Sequence, residues 1–254
     1  MNNTEDMERK AFLKLLVNMG VLLLGSGSEI SRVEDTLSRI GTAYGAEHMN
    51  VFVITSGIIV TMIFPDKREY TVSRRITAPA SNHFRRLERL NELSRRYCKE
   101  PFDMDRFENE LEEIAQIKQK KYISHIGSII AAGTFALFFG GNLLDGFSAA
   151  CIGLLLSVSS EFLGKIAPNQ LIFQLISSFL SGMLIQALHR IFPILNPEMI
   201  MIGDIMLLVP GIALTYSIRD ILVGNTISGL LKITETCMWA GALAAGFMLS
   251  MAIL

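Results

Sequence analysis

Residues 207–225 read LLVPGIALTYSIRDILVGN. The first half of this stretch is apolar enough to lie in a membrane, yet Pro210 and Gly211 fall in its middle, and Arg219 and Asp220 follow where the apolar run ends. Proline has no amide hydrogen, so a helix that contains Pro210 leaves one carbonyl without its intrahelical partner. In lipid such a break persists only where protein or a water-filled cavity covers it. The stretch predicts a broken membrane helix, which transporters use to bind substrates; the alternative is a kink that only shapes helix packing.

The charged residues divide the chain of 254 residues into two different halves. Residues 1–122 hold 19 of the 23 Lys and Arg and 18 of the 24 Asp and Glu, whereas residues 123–254 hold 4 and 6. This split predicts a soluble domain followed by a membrane domain. The formal net charge of −1 gives no strong field that would attract nucleic acid, so no nucleic-acid partner is predicted.

The charged half contains both strand-like and helical patterns, and we place a domain at residues 1–121. Runs rich in β-branched residues predict three strands, at 50–56, 57–64 and 69–76. Apolar residues at helical spacing predict two helices after them, at about 80–98 and 103–121. The pattern is typical of a small α+β domain with helices on one face of a short antiparallel sheet.

Two helices are predicted before the strands. Apolar residues recur at helical spacing in residues 11–25, and the acidic residues ahead of them are unlike a signal peptide, so an amphipathic helix is expected there. The segment 26–45 reads as a second helix that ends at a glycine. Ser26 and Glu29 have the spacing of a capping box, in which each side chain accepts a hydrogen bond from an amide at the helix start.

The weakly charged half, residues 122–254, contains long apolar stretches, and a membrane span needs roughly 20 apolar residues. Small residues recur in these stretches, as in WAGALAAGF (239–247), and allow close helix contact. We predict five transmembrane helices, at 123–141, 146–164, 170–189, 198–217 and 228–252. The predicted fold class is an α+β cytoplasmic domain followed by an all-α membrane domain of five transmembrane helices.

Basic residues near the spans predict the orientation in the membrane. The run KQKK (118–121) directly precedes the first expected span, and Lys165 and Arg219 lie in loops on the same side, with Arg190 as the exception. Lys and Arg are concentrated on the cytoplasmic side of membrane proteins. The soluble domain is therefore expected in the cytoplasm and the C-terminus on the far side.

Four ionisable side chains fall inside or near the ends of the expected spans: Glu161, Asp204, Lys232 and Glu235. A lone charge at the centre of a bilayer costs on the order of 3 kcal/mol on insertion scales, so such groups usually face inward and are paired. They are candidates for proton relay or substrate contact. The alternative for Glu161, for Asp204, and for Lys232 and Glu235 on one helix face, is a position in headgroup water.

Other chemistries find little support. The sequence has no GxxxxGK[ST] loop for phosphate. A membrane-embedded hydrolase would need a nucleophile and a base, and His125 and His189 have no evident partner. No ligand spacing for a metal is found around His48 and His83, or among the distant cysteines Cys98, Cys151 and Cys237. We predict no catalytic residue, no metal site and no cofactor, and a protein that is not an enzyme.

The order of these features resembles one family of transporters. GSGSEISRVEDTLSRIGTAYG (25–45) leads into VFVITSGIIVTM (51–62), and RRITAPASNHFRRLERLNEL (74–93) follows. LLVPGIALTYSIRDILVGNTISGLLKITE (207–235) closes the series. The chain resembles the threonine/serine exporter family, and specifically its half-length, two-component members. The motif positions carried over are Pro210, Gly211, Asp220, Gly224 and Asn225.

The resemblance implies a subunit of a secondary exporter in a bacterial inner membrane. Its substrates would be small hydroxy-amino acids such as threonine and serine, or small dicarboxylates such as succinate. It also implies a separate small partner with five spans, and a homo- or hetero-oligomer in the lipid bilayer.

Because no nucleotide motif is present, we expect proton coupling, with Asp204 and Glu161 as proton carriers and Pro210-Gly211 in the substrate site. The alternative is a membrane-anchored sensor or regulatory subunit without transport of its own, whose soluble domain binds a metabolite. Such an anchor would need neither a break within a span nor buried carboxylates.

Overall fold

The computed structural model describes residues 2–76 and 82–253, and within these ranges the chain folds into ten helices and one three-stranded sheet. These elements form two compact units. The first unit holds the chain up to Gln119 together with Arg219–Gly229. The second unit holds Lys120–Ile218 together with the chain from Leu230 onward. The segment Arg219–Gly229 therefore packs with residues far earlier in the sequence.

The first unit contains four helices and the sheet. In chain order the elements are α1 (Asn2–Gly25), α2 (Ile30–Tyr44), β1 (His48–Ile54), β2 (Gly57–Ile63), β3 (Glu69–Arg75), α3 (Phe84–Lys99) and α4 (Met104–Ala115). The strands are antiparallel in the order β1-β2-β3, with Val60 of the central strand opposite Val51 and Val72. The three predicted strands are confirmed, each starting within two residues of its expected start.

The core of the first unit lies between the helices and one face of the sheet. Ile58, Val60 and Met62 alternate along β2 and are fully buried, which is the period-two pattern of a covered strand face. Phe12 on α1 is also fully buried and stacks on Tyr44 of α2. Burial of each such large apolar side chain contributes roughly 1.5–3 kcal/mol, so these contacts hold the helices against the sheet.

Several helix boundaries differ from the expected ones. The first helix begins at Asn2 rather than near residue 11, and α4 ends at Ala115 rather than 121. The third helix begins at Phe84, and residues 80 and 81, where it was predicted to start, lie outside the described residues.

The predicted capping box at the start of α2 is wrong. The backbone N–H of Ser26 donates to Leu22 and Leu23 at 3.0 and 3.1 Å, so Ser26 completes the end of α1 instead of starting α2. The N-cap residue of α2 is Glu29, whose side chain makes no capping hydrogen bond.

The described part of the second unit is helical. Its helices are α5 (Lys121–Phe138), α6 (Leu143–Ile166), α7 (Gln170–Ile191), α8 (Pro197–Leu208), α9 (Gly211–Leu222) and α10 (Thr226–Ile253). The last residues of α9 and the first residues of α10 belong to the first unit. Helix α6 begins with a reciprocal capping box between Asn142 and Asp145. The second carboxylate oxygen of Asp145 accepts a hydrogen bond from the Asn196 N–H at 2.8 Å, which ties the starts of α6 and α8 together.

Helices α5, α6 and α8 pack closely through small residues. A Cβ atom at Gly203 of α8 would lie only 2.5 Å from the carbonyl oxygen of Ala132 on α5 and 3.2 Å from the Cβ of Ala149 on α6. Close approach of this kind requires glycine, and it is the usual way in which membrane helices associate. The arrangement places the neighbour of Gly203, Asp204, in the interior of the helix group.

The predicted fold class is wrong. Within the described residues, three helices are long and apolar enough to cross a membrane, at Leu143–Gly164, Gln170–Ile191 and Thr226–Ile253, and the count rises to four if α8 and α9 are one bent span. The described residues therefore hold three or four candidate spans instead of the predicted five. Nor is it a soluble domain followed by a membrane domain, since Arg219–Gly229 packs with the first unit, and the described residues are mostly helical beside one small sheet.

Helix α5, expected as a span at 123–141, has 18 residues and ends at Phe138. A turn follows, in which Gly140 adopts a φ of +106°. The first two helical turns of α5 carry the polar residues Lys121, Ser124 and His125, and α5 is not among the candidate spans of the described residues.

Candidate functional site

The predicted broken helix is present at Pro210. Helix α8 ends at Leu208, α9 begins at Gly211, and the two helices are bent by 52°. Each has 12 residues and is about 18 Å long, too short alone for a hydrocarbon core of about 30 Å. The carbonyl oxygen of Leu208, at the break, accepts a hydrogen bond from the side-chain amide of Gln174 on α7 at 2.8 Å. A polar side chain from a neighbouring helix thus replaces part of the lost intrahelical bonding.

Gln174 belongs to a row of polar side chains on α7. The row continues with Ser177, Ser178 and Ser181, at the i, i+3, i+4, i+7 spacing of one helix face, and all four residues are buried. The rest of the helix is largely apolar. A buried polar row on such a helix indicates contacts with other helices rather than with lipid.

Asp204 of α8 meets this row. Its residue is fully buried, and the hydroxyl of Ser181 donates a hydrogen bond to its Oδ2 at 2.8 Å. We call Gln174, Ser177, Ser181 and Asp204 the polar cluster. Among the described residues, three of its atoms have no hydrogen-bond partner: Gln174 Oε1, Ser177 Oγ and Asp204 Oδ1.

These three unpaired atoms define the chemistry that the polar cluster offers. Because the amide nitrogen of Gln174 donates to Leu208, its free oxygen is an acceptor. The free oxygen of Asp204 is an acceptor when the carboxylate is ionised, and the Ser177 hydroxyl can donate or accept. Unpaired buried polar atoms are costly and rare in native proteins. The cluster is therefore suited to a ligand that brings hydrogen-bond donors.

Helix α10 crosses α7 beside the polar cluster. A Cβ at Gly246 would lie 2.5 Å from the carbonyl oxygen of Leu175 and would collide with the Ser178 hydroxyl, and a Cβ at Gly182 would collide with Ser250. Because Ser178 faces Gly246 while Gly182 faces Ser250, the two helices run in the same direction. Two parallel spans need a return crossing between them, which favours α8 and α9 as one bent span.

The other predicted site residues of the second unit lie apart from these contacts. Glu161 of α6 forms ion pairs with Lys121 and, at 3.5 Å, with Nε2 of His125, both on α5. Lys232 is half-buried and Glu235 is exposed on α10. Asp204 thus contacts α7, the helix whose Gln174 bonds the Leu208 carbonyl at the break, whereas Glu161 contacts α5.

Asp220, Gly224 and Asn225 belong to the first unit. Asp220 is buried, and its carbonyl oxygen accepts a hydrogen bond from the Asn225 N–H at 2.8 Å. Gly224 has a φ of +98°, a left-handed conformation that ends α9 and that glycine adopts without strain. These motif positions therefore shape the turn between α9 and α10.

The end of α9 contacts α2 within the first unit. Arg219 donates a hydrogen bond to Oε1 of Glu29 at 2.6 Å. Burial raises the pKa of Glu34, and the negative charge of Asp220 raises this pKa further. The Val53 N–H donates a hydrogen bond to the Glu34 carboxylate at 3.0 Å, which lowers the pKa and opposes both effects. The N-cap residue of α2, Glu29, thus pairs with Arg219 of α9, and Glu34 of α2 is near enough to Asp220 to be affected by its charge.

Three features were not predicted from the sequence. They are the polar row on α7, the ion pair between Glu29 and Arg219, and the contacts of His125 with Ser157 and Glu161. The row had a readable signal, since four polar residues recur at helical spacing inside an apolar stretch. The contacts between distant residues had none, because they depend on which helix faces meet.

A broken helix bonded by a neighbouring helix, and a buried polar cluster beside it, define a membrane protein of the transporter class. The family profile described as "Putative threonine/serine exporter" matches residues 14–254. The chain belongs to the threonine/serine exporter family.

Three curated relatives share 20% sequence identity with this chain. The threonine/serine exporter of Corynebacterium glutamicum aligns with 96% of this chain and 51% of its own length, and the probable threonine/serine exporter of Mycobacterium tuberculosis with 97% and 47%. The chain therefore spans about half the length of these two. The probable succinate transporter subunit YjjP of Escherichia coli aligns with 97% of this chain and 96% of its own length. No solved structure matches the chain.

Proposed function

We propose that this chain is one subunit of a secondary exporter of small hydroxy-amino acids and that it is not an enzyme. It would lie in a bacterial inner membrane with its N-terminal residues, 1–121, in the cytoplasm. Membership of the threonine/serine exporter family supports the transport function. The observation that carries the assignment of the site is the polar cluster, in which Asp204 is fully buried beside a broken membrane helix.

The partner is a second, small membrane protein of the same family, and a five-span protein would fit this role. Two curated relatives are about twice as long as the part that this chain matches. The relative of similar length is named a transporter subunit. A half-length chain that works with a separate protein accounts for both facts.

The chemistry of the polar cluster favours a hydroxy-amino acid over a dicarboxylate. Threonine and serine carry an ammonium group and a hydroxyl, which can donate to the free oxygens of Asp204 and Gln174. Succinate would bring only acceptors at neutral pH, and the described contacts of Asp204 include a serine and no Lys or Arg. Since a buried acceptor facing another acceptor is left unpaired, an ionised Asp204 would favour the ammonium group of threonine over the second carboxylate of succinate.

Protons are the proposed coupling ion. A buried carboxyl group can bind and release a proton and can bind an ammonium group only when it is ionised. Proton binding at Asp204 would therefore compete with substrate binding, and this competition is the basis of exchange. The sequence lacks the phosphate-binding loop that an ATP-driven transporter of the P-loop class would need.

The test is uptake of labelled threonine and labelled succinate into proteoliposomes under an imposed pH gradient. Each label is tested with this chain alone and with a co-expressed small membrane partner from the same genome. We expect uptake of threonine, dependent on the partner, at a rate at least about tenfold above that of succinate. Uptake of succinate alone would contradict the substrate assignment. Absence of both, with both proteins folded and co-purified, would favour the alternative of a sensor subunit.

A further inference from the structure

A second group of ionisable side chains joins the start of α5 to the end of α6. Nδ1 of His125 lies 2.8 Å from the hydroxyl oxygen of Ser157, and Nε2 of the same ring lies 3.5 Å from Oε1 of Glu161. The other oxygen of Glu161 accepts a hydrogen bond from Lys121. Both ring nitrogens of His125 are thus engaged, one by a hydroxyl and one by a carboxylate.

We propose that His125, Ser157 and Glu161 form a proton-binding site of this exporter, separate from Asp204, which sets how transport responds to pH. Histidine is the side chain whose charge ordinarily changes between about pH 5 and 8. The part of this proposal that concerns transport rests on the proposed function, and the part that concerns proton binding does not.

The two partners of His125 allow the ring to gain a proton without losing a contact. In the neutral ring one nitrogen carries a hydrogen and the other accepts, whereas in the charged ring both donate. With Nε2–H directed to Glu161, neutral Nδ1 accepts a hydrogen from the Ser157 hydroxyl, and protonated Nδ1 donates to the same oxygen. A hydroxyl can take either role, so protonation leaves the hydrogen bond to Ser157 in place and adds the attraction between the imidazolium and the Glu161 carboxylate.

The charged groups that the described residues place near His125 lie on α5, α6 and α8. The side chain of His125 is partly covered, with 24% exposed, and that of Glu161 has 31% exposed. Helix α6 contributes Glu161 and its own helix contributes Lys121. Helix α8 also packs on α5 and carries two acidic residues, Glu198 in its exposed first turn and Asp204 bonded to Ser181 of α7. Proton binding at His125 therefore adds a positive charge beside Lys121 and Glu161.

This site lies at a different level of the helix group from Asp204. The carbonyl oxygen of Ala132 is the atom of α5 nearest to Gly203, the residue before Asp204. His125 precedes Ala132 by seven residues, about 10 Å along the helix. The two proton sites thus share the packed helices α5, α6 and α8 but have different partners, and they can be changed separately.

A catalytic role for the pair of Ser157 and His125 does not fit its position. A serine nucleophile needs free N–H donors that stabilise an oxyanion. Ser157 lies in the interior of α6, which runs from Leu143 to Ile166, and there backbone N–H groups donate to carbonyls one turn earlier. The contact between Ser157 and His125 is suited to exchange of a proton and not to acyl transfer.

The first test measures exchange of labelled for unlabelled threonine across proteoliposomes with equal pH on both sides, so that no gradient contributes. Wild type is expected to change its rate at least about threefold between pH 5.5 and 8. His125→Gln, which keeps polar contacts but does not titrate, should lose a large part of this change, and the part that remains would come from Asp204. The matched control is His189→Gln. His189 lies on α7, away from His125, and its Nδ1 is 2.8 Å from the carbonyl oxygen of Leu195. This variant should leave the pH profile unchanged. A wild-type profile in His125→Gln would overturn the proposal.

A second test needs no transport. Labelled histidine side chains in the purified full-length chain are followed by NMR as pH is varied, and the His125 signal is assigned from its absence in His125→Gln. We expect the His125 signals to change reversibly with pH and to respond differently in Glu161→Gln, which removes the carboxylate that lies 3.5 Å from Nε2. The same response to pH in both proteins would overturn the proton site, whatever the exchange assay shows.

Discussion

Replacement of Asp204 by asparagine is expected to reduce threonine export by about a hundredfold or more, with the protein still folded. The size follows from the usual contribution of a positioned group to proton transfer. The asparagine oxygen can still accept the hydrogen bond from Ser181 and has nearly the volume of the carboxylate, so helix packing should persist. The amide cannot bind a proton or balance an ammonium group. The measurement is proteoliposome flux, together with gel filtration and the apparent unfolding temperature.

The control for this variant is Glu198→Gln, which makes the same chemical change in the exposed first turn of the same helix. It should transport at nearly the wild-type rate. If the Asp204→Asn variant transports threonine as fast as the Glu198→Gln variant, Asp204 has no role in transport.

The change of Gly246 to alanine is expected to have the largest effect on stability. The new Cβ would meet the Leu175 carbonyl oxygen at 2.5 Å and the Phe179 nitrogen at 2.9 Å, and both are backbone atoms that cannot rotate away. Overpacking of this kind costs about 1–3 kcal/mol. We expect the apparent unfolding temperature of the detergent-solubilised protein to fall by several degrees, because α7 and α10 must separate.

Gly241 supplies the matched control on the same helix. A Cβ at this position would meet nothing within 4 Å. Gly241→Ala should keep or slightly raise the unfolding temperature, because alanine is the better helix former. Equal effects of the two substitutions would mean that the close crossing of α7 and α10 does not hold these helices together.

Features that depend on neighbouring residues alone could be predicted from the sequence. The break at Pro210 is confirmed, since a missing amide hydrogen acts within one helical turn. The three strands were found for the same reason, because β-branched runs and the turns between them are local patterns. The spacing of Ser26 and Glu29 is also a local pattern, but the capping box that it predicted is wrong, because the amide of Ser26 donates to carbonyls of the preceding helix.

Features that depend on which helix faces meet could not be predicted. The contact between Asp204 and Ser181 requires the packing of α7 on α8, and the ion pair between Glu29 and Arg219 joins residues 190 positions apart. The predicted number of spans is wrong for another reason. Helix α5 carries polar residues in its first two turns and is not among the candidate spans, and hydropathy does not show that α8 and α9 bend by 52°.

The most direct test of the central claim is whether the substrate reaches the polar cluster. Ser177 offers a position for this test, because its hydroxyl is an unpaired atom of the cluster. The variant Ser177→Cys would be made after replacement of Cys98, Cys151 and Cys237, which are exposed. The rate of its modification by a small, water-soluble thiol reagent is then measured with and without threonine in the co-reconstituted transporter. We predict modification that threonine slows at least about fivefold and that succinate does not. A modification rate that threonine leaves unchanged, in protein that still exports threonine, would place the substrate elsewhere and contradict the account.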